Sequence, residues 1–122
     1  MEQIKHEYKD GNGRQLYTVV KFPNKEFRRL RTDITGKEVW NWDGIKQVPY
    51  RWPDIKDHRA IIFVEGEKDV DNLHNIDLVA TTIAGGSNAW SPLLKKQSDF
   101  PEKYFSGFDQ VFIIPDNDEA GK

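Results

Sequence analysis

The chain has 122 residues, of which 37% are hydrophobic and 31% charged, a composition that suits one modest globular unit or a small domain with an appendage. Its formal net charge of −2 excludes nucleic-acid binding by bulk electrostatics, so any such contact must come from a local patch such as Arg28-Arg29-Leu30-Arg31. Without cysteine it can form neither disulfides nor thiolate zinc sites, and no apolar run approaches the roughly 20 residues of a membrane span.

In chain order, the polar, mixed-charge N-terminus has no secretory pattern, and a cytoplasmic location with no membrane partner is expected. Ile4, His6 and Tyr8 alternate with polar residues and predict a strand. Asp10-Gly11-Asn12-Gly13 predicts a hairpin turn, because Gly and Asn tolerate positive φ. Leu16 to Phe22 reads as the returning strand, Glu26 to Arg31 as a third, and Glu38 to Trp42 as a fourth after a turn at Thr32–Lys37. This is a β meander. Pro49 and Pro53 rule out a central strand between them, and Pro53 suits the first turn of a short helix through Lys56.

The pattern then alternates strand and helix. Ala60 to Val64 predicts a buried strand, Gly66 to Asn75 a helix with Val70 and Leu73 inward, and Leu78 to Ile83 a second strand. Ala84-Gly85-Gly86-Ser87-Asn88 is a flexible turn, Trp90 to Gln97 and Pro101 to Phe105 are short helices, and Gln110 to Ile114 is a third strand. The expected fold is α/β, a Rossmann-like parallel sheet with flanking helices over residues 58–122, preceded by a small β-rich module over 1–57. An α/β unit ordinarily continues past a third strand, so a fragment is expected.

Two acidic clusters follow buried-strand patterns: Glu65-Gly66-Glu67-Lys68-Asp69 after Ile61–Val64, and Asp116-Asn117-Asp118-Glu119 after Val111–Pro115. Ligands of open α/β sheets bind at the carboxyl ends of strands. If the two strands are neighbours, Glu65, Asp69, Asp116 and Asp118 converge. Several carboxylates without a local cation repel one another, and hard oxygen ligands of this kind suit magnesium and phosphate chemistry.

At these residues the sequence resembles the TOPRIM family, which includes bacterial-type DNA primases and topoisomerases. The shared pattern is Glu65-Gly66 after a first strand, Gly85-Gly86 after a second and Asp116-Asn117-Asp118-Glu119-Ala120-Gly121 after a third, across about residues 60–122. Val64-Glu65-Gly66-Glu67-Lys68-Asp69 and Pro115 to Gly121 look most like the phage and plasmid primases and primase-helicases of that family, and the upstream half is more weakly similar to theirs.

The resemblance implies Glu65, Asp69, Asp116 and Asp118 as catalytic residues. Glu65, Asp116 and Asp118 would ligate Mg2+ (or Mn2+), and Glu65 is also the family's acid/base position. It implies a DNA primase that joins ribonucleoside triphosphates on a single-stranded DNA template in phage or plasmid replication, with a helicase domain or protein among its partners. A nuclease of the same fold, or a non-catalytic nucleic-acid-binding module, is the alternative.

Further candidates for nucleotide or nucleic-acid contact are Lys68, Gly85, Gly86, Arg28, Arg29 and Arg31. Each has a plainer reading as well. Glu67 and Lys68 are a solvated helix start, Gly85-Gly86 a simple turn, and the arginines a solvated strand face. Trp40, Trp42 and Trp52 are expected in the core rather than as base-stacking platforms. His6, His58 and His74 are scattered without metal spacing.

Overall fold

The computed structural model describes residues 3–24 and 26–115, apart from the side chain of Ser87. The first half forms a four-stranded antiparallel sheet in the order β1 (Ile4–Lys9), β2 (Gln15–Lys21), β3 (Phe27–Thr32), β4 (Glu38–Val39). Two of the hairpins, β1–β2 and β3–β4, are built by an aspartate and a glycine. Asp10 Oδ1 accepts from the backbone N–H groups of Asn12 and Arg14, at 2.9 and 3.0 Å, and Gly13 sits at φ +84. Asp33 repeats the device, accepting from the N–H groups of Thr35 and Lys37, with Gly36 at φ +88.

The fourth strand is shorter than its apolar pattern predicts. Arg31 Nε donates to Asn41 Oδ1 at 3.0 Å, and the same oxygen accepts from the Asp43 N–H, so a side chain takes the place of ladder partners and the chain turns away. Gly44 at φ +76 completes that turn.

The second half is a three-stranded parallel sheet in the order β6 (Ala80–Thr81), β5 (Ala60–Phe63), β7 (Gln110–Ile113). Helix α1 (Trp52–Ile55) precedes it, α2 (Glu67–His74) joins β5 to β6, and α3 (Trp90–Lys96) and α4 (Phe100–Phe105) lead to β7. Each helix lies within two residues of its sequence pattern. The strand expected over Leu78–Ile83 keeps only Ala80 and Thr81 in the ladder. Tyr50 N–H donates to Thr82 O at 2.9 Å, and Thr81 Oγ1 to Tyr50 O at 2.7 Å, so the connecting chain takes up this edge.

One apolar cluster runs through both sheets, from Tyr8, Tyr17 and Val19 to Phe63, Val70, Leu93 and Phe100. Tyr8 and Tyr17 are directly paired across β1 and β2 and stack at 4.9 Å. Trp42 is buried, Trp52 is half-buried with its ring edge-on to Tyr104, and Trp40 is 52% exposed, against its expected place in the core.

Strand β7 also departs from its pattern. It was expected to be buried, yet Ile113 is 73% exposed and Val111, Phe112 and Ile114 are exposed as well. It is the edge of its sheet among the described residues, and no described element covers it. No helix among the described residues is long and apolar enough to cross a membrane.

Candidate active site

Strands β5 and β7 are hydrogen-bonded neighbours, with Phe63 opposite Ile113 and the Ile114 N–H donating to Phe63 O at 2.9 Å. That register carries Glu65, just beyond β5, to the side of Pro115, just beyond β7. A cavity of about 300 Å3 opens there, lined by Glu65, Asp69, Asn72, Ile114 and Pro115 among others. Asp69 reaches it from the first turn of α2, where the helix dipole favours a carboxylate.

Asp116 and Asp118 follow Pro115 directly in the chain and lie outside the described residues. Among the described residues, no group of three or more ligating side chains could hold a metal ion. Glu65 and Asp69 nevertheless supply hard carboxylate oxygens to one cavity, and that donor chemistry fits magnesium, which takes one or two carboxylates and keeps several waters.

The glycine turn after β6 has a packing role at this site. Gly86 has φ +70, and a Cβ there would lie 2.6 Å from the Glu65 backbone oxygen and 3.1 Å from Glu65 Oε2. Only glycine permits this approach, so the turn braces Glu65. Gly85, at φ +88, would place a Cβ 2.9 Å from that of Ala89.

Lys68 is exposed on α2. Arg28 and Arg29 line a separate cavity. Arg31 is half-buried, donates to Asn41 and lines a different hollow with Lys5 and Glu7, so the three arginines do not form one patch.

Glu67 is not a solvated helix residue. It is 2% exposed, accepts from Tyr8 Oη at 2.7 Å and pairs with Lys21 Nζ at 3.2 Å. A buried carboxylate is costly without such partners. Burial, and then the Glu67 charge, push the Tyr8 phenol well above its ordinary range, so Tyr8 stays protonated and donates.

Beside it, Asp71 accepts from Arg51 Nε at 2.9 Å and Tyr50 Oη at 3.1 Å, and lies 3.8 Å from His6 Nδ1. Burial lowers the His6 pKa, although the Glu67 and Asp71 charges pull it upward and Lys21 adds to the lowering. This network joins the antiparallel sheet to α2, the helix that carries Asp69.

Sequence reasoning missed Tyr8, Lys21 and Asp71. The signal for Tyr8 and Lys21 was the period of two. Tyr17, Val19 and Lys21 share a face of β2, opposite Tyr8, His6 and Ile4, so Lys21 emerges on the inner face at the strand end. Its ammonium lies 3.8 Å from where a Gly66 Cβ would be, beside the Glu65–Gly66 segment.

No protein-family profile and no curated protein matches the chain. Solved structures do. The primase fragment of the bacteriophage T7 primase-helicase protein is similar at TM-score 0.67 and 20% identity, covering 98% of this chain and 45% of that one. A structure of the bacteriophage T7 lagging-strand DNA polymerase interacting with primase domains bound to an RNA/DNA hybrid and dTTP is similar at TM-score 0.63 and 20% identity, over 98% of this chain and 55% of that one. The chain therefore has a phage primase-like fold and spans about half the length of these neighbours.

Proposed function

We propose that residues 58–122 are the TOPRIM portion of a phage- or plasmid-type DNA primase, with residues 1–57 as its upstream module, and that the parent protein joins ribonucleotides on single-stranded DNA. The observation that carries this reading is the pairing of β5 with β7. It brings Glu65 and Asp69 to the cavity rim at Pro115, the residue from which the Asp116-Asn117-Asp118 segment departs. The phage primase-like fold supports it.

Glu65, Asp116 and Asp118, with Asp69 beside them, would hold magnesium, and the ion when bound would activate a 3′-hydroxyl and steady the leaving pyrophosphate. The chain's own residues do the rest. Gly86 fixes the backbone of Glu65, so its carboxylate is aimed before substrate arrives. Glu65 is also placed to take or return a proton at the reacting hydroxyl. Lys21, 39% exposed and held by Glu67, offers a positive group at the Glu65–Gly66 edge where a triphosphate would lie.

The test is primer synthesis by the parent protein on a single-stranded template with labelled ribonucleotides. Asp116→Ala, Asp118→Ala and Glu65→Gln each abolish synthesis, and chelation of divalent ions does the same. Intact synthesis in the doubly substituted Asp116→Ala/Asp118→Ala protein refutes the assignment. Metal-dependent cleavage of nucleic acid without nucleotides replaces it with the nuclease reading.

A further inference from the structure

The β3–β4 end of the antiparallel sheet carries a second feature. Trp40 is 52% exposed and forms part of the walls of two cavities, of about 760 and 490 Å3. Arg28 lines both of them too. The larger also takes in Phe27, Arg29, Lys46 and Lys96, with Asp43 as its acidic member. In a chain of net charge −2, four cations to one carboxylate is a local reversal of sign. The smaller cavity is more apolar, with Phe22 and Pro23 alongside Glu26.

The surroundings are built. Arg29 lies over the Trp42 ring, its Cζ 4.8 Å from the centroid, and Arg28 lies 5.9 Å over Phe22. Gln97 is buried, accepts from the Gln47 N–H at 2.7 Å and donates to Gln47 O at 3.2 Å, which ties the loop after Trp42 to the end of α3. Phe27, 41% exposed, is also the neighbour of the glycine turn, 3.9 Å from a Cβ on Gly85. The groove therefore adjoins the turn whose next residue braces Glu65.

We infer that this groove is a binding subsite for single-stranded nucleic acid, with unpaired bases stacking on Trp40 and Phe27 and phosphates met by Arg28, Arg29, Lys46 and Lys96. Exposed aromatic faces interleaved with cations recognise unpaired bases in any sequence, because every base has a π-face. A duplex hides those faces, and a simple anion has no use for the tryptophan. Two cavities that share Trp40 and Arg28 suit consecutive nucleotides better than one small molecule. Neither the metal nor the acidic residues enter this binding.

The experiment measures fluorescence anisotropy of labelled oligonucleotides of roughly 12 nucleotides, within the span such surfaces cover, bound to the full chain. Chelator is present, nucleotides are absent, and salt is about 50 mM. Trp40→Ala is expected to weaken oligothymidylate binding roughly 5- to 100-fold, and Trp40→Phe to restore most of it. Arg28→Ala and Lys46→Ala each lower the slope of log affinity against log salt by about 0.7. A matching oligouridylate shows whether DNA or RNA is preferred, and either preference supports the subsite provided that Trp40→Ala weakens it.

Binding within twofold of the parent chain in a folded Trp40→Ala protein overturns the inference. So does duplex binding as tight as single-strand binding, or no binding at all. A chain that binds through Trp40 while its parent protein makes no primers sinks only the catalytic reading. Primer synthesis untouched by Trp40→Ala, with unchanged oligonucleotide binding, sinks only this one.

Discussion

Removing the Glu67 carboxylate tests whether the two sheets are coupled through a buried charge. Tyr8 is fully buried and its hydroxyl donates to Glu67 Oε2, so Glu67→Ala leaves that donor without its acceptor, at about 1–3 kcal/mol. The truncation also leaves a cavity, adding about 1–2 kcal/mol. Lys21 is 39% exposed and can turn to water, so its lost ion pair counts for only about 0.5 kcal/mol.

The sum is about 3–5 kcal/mol. With an m-value of about 2 kcal/mol per molar for a chain of this size, that is a drop of roughly 2 M in the urea midpoint. Because that loss is a large share of a small domain's stability, the milder pair Tyr8→Phe and Glu67→Gln provides the decisive comparison. Glu67→Gln retains an acceptor for Tyr8 and loses the charge, and Tyr8→Phe retains the carboxylate and removes its donor. In a double-mutant cycle read by urea unfolding, the two changes should be non-additive by about 1 kcal/mol or more. Additivity within about 0.4 kcal/mol would refute the view that the Tyr8 hydroxyl binds the Glu67 carboxylate more strongly than a neutral amide.

The pocket around the same network predicts a pH effect. His6 is 6% exposed and its folded pKa lies below the ordinary 6.5, with Tyr50, Asp71, Glu67 and Lys21 as its facing groups. The unfolded chain thus takes up the proton first, and stability is full above pH 6.5 and falls as pH drops toward the folded value. His6→Gln should flatten the fall in urea midpoint between about pH 7 and about pH 5.5, and an unchanged fall would assign it to the carboxylates.

Gly86→Ala combines a left-handed backbone with a Cβ 2.6 Å from the Glu65 oxygen, and should cost about 2–4 kcal/mol by thermal or urea unfolding. Ile113→Thr, at a side chain 73% exposed, should change stability by no more than about 0.5 kcal/mol, whereas the same change in a buried strand costs several times that.

The elements of this fold were legible because each apolar run ends at a turn device. Asp10 with Gly13 and Asp33 with Gly36 set the hairpins, and strands and helices begin within a residue or two of their patterns. Sequence patterns carry no pairing order, so they leave open whether β5 and β7 are neighbours; the ladder from Ala60–Gln110 to Phe63–Ile113 supplies it. Trp40 escaped because an aromatic residue in a strand pattern reads as core. Its exposure follows from Asn41, whose side chain ends the ladder and turns the chain outward.

Glu67 is the instructive failure. Glu67-Lys68-Asp69 is indistinguishable by composition from a solvated helix start, and Lys68 and Asp69 are indeed exposed. What buries the glutamate is a hydroxyl 59 positions earlier in the chain, on the inner face of another sheet. That arrangement also explains why the upstream sheet matters to the candidate site. Helix α2 begins two residues after Glu65 and carries Asp69, and its first residue is pinned from the side by Tyr8 and Lys21. Two carboxylates of the candidate site thus flank a third that is fixed to the antiparallel sheet. Their positions are set by both halves of the chain, and a change in Tyr8 should reach the site without touching it.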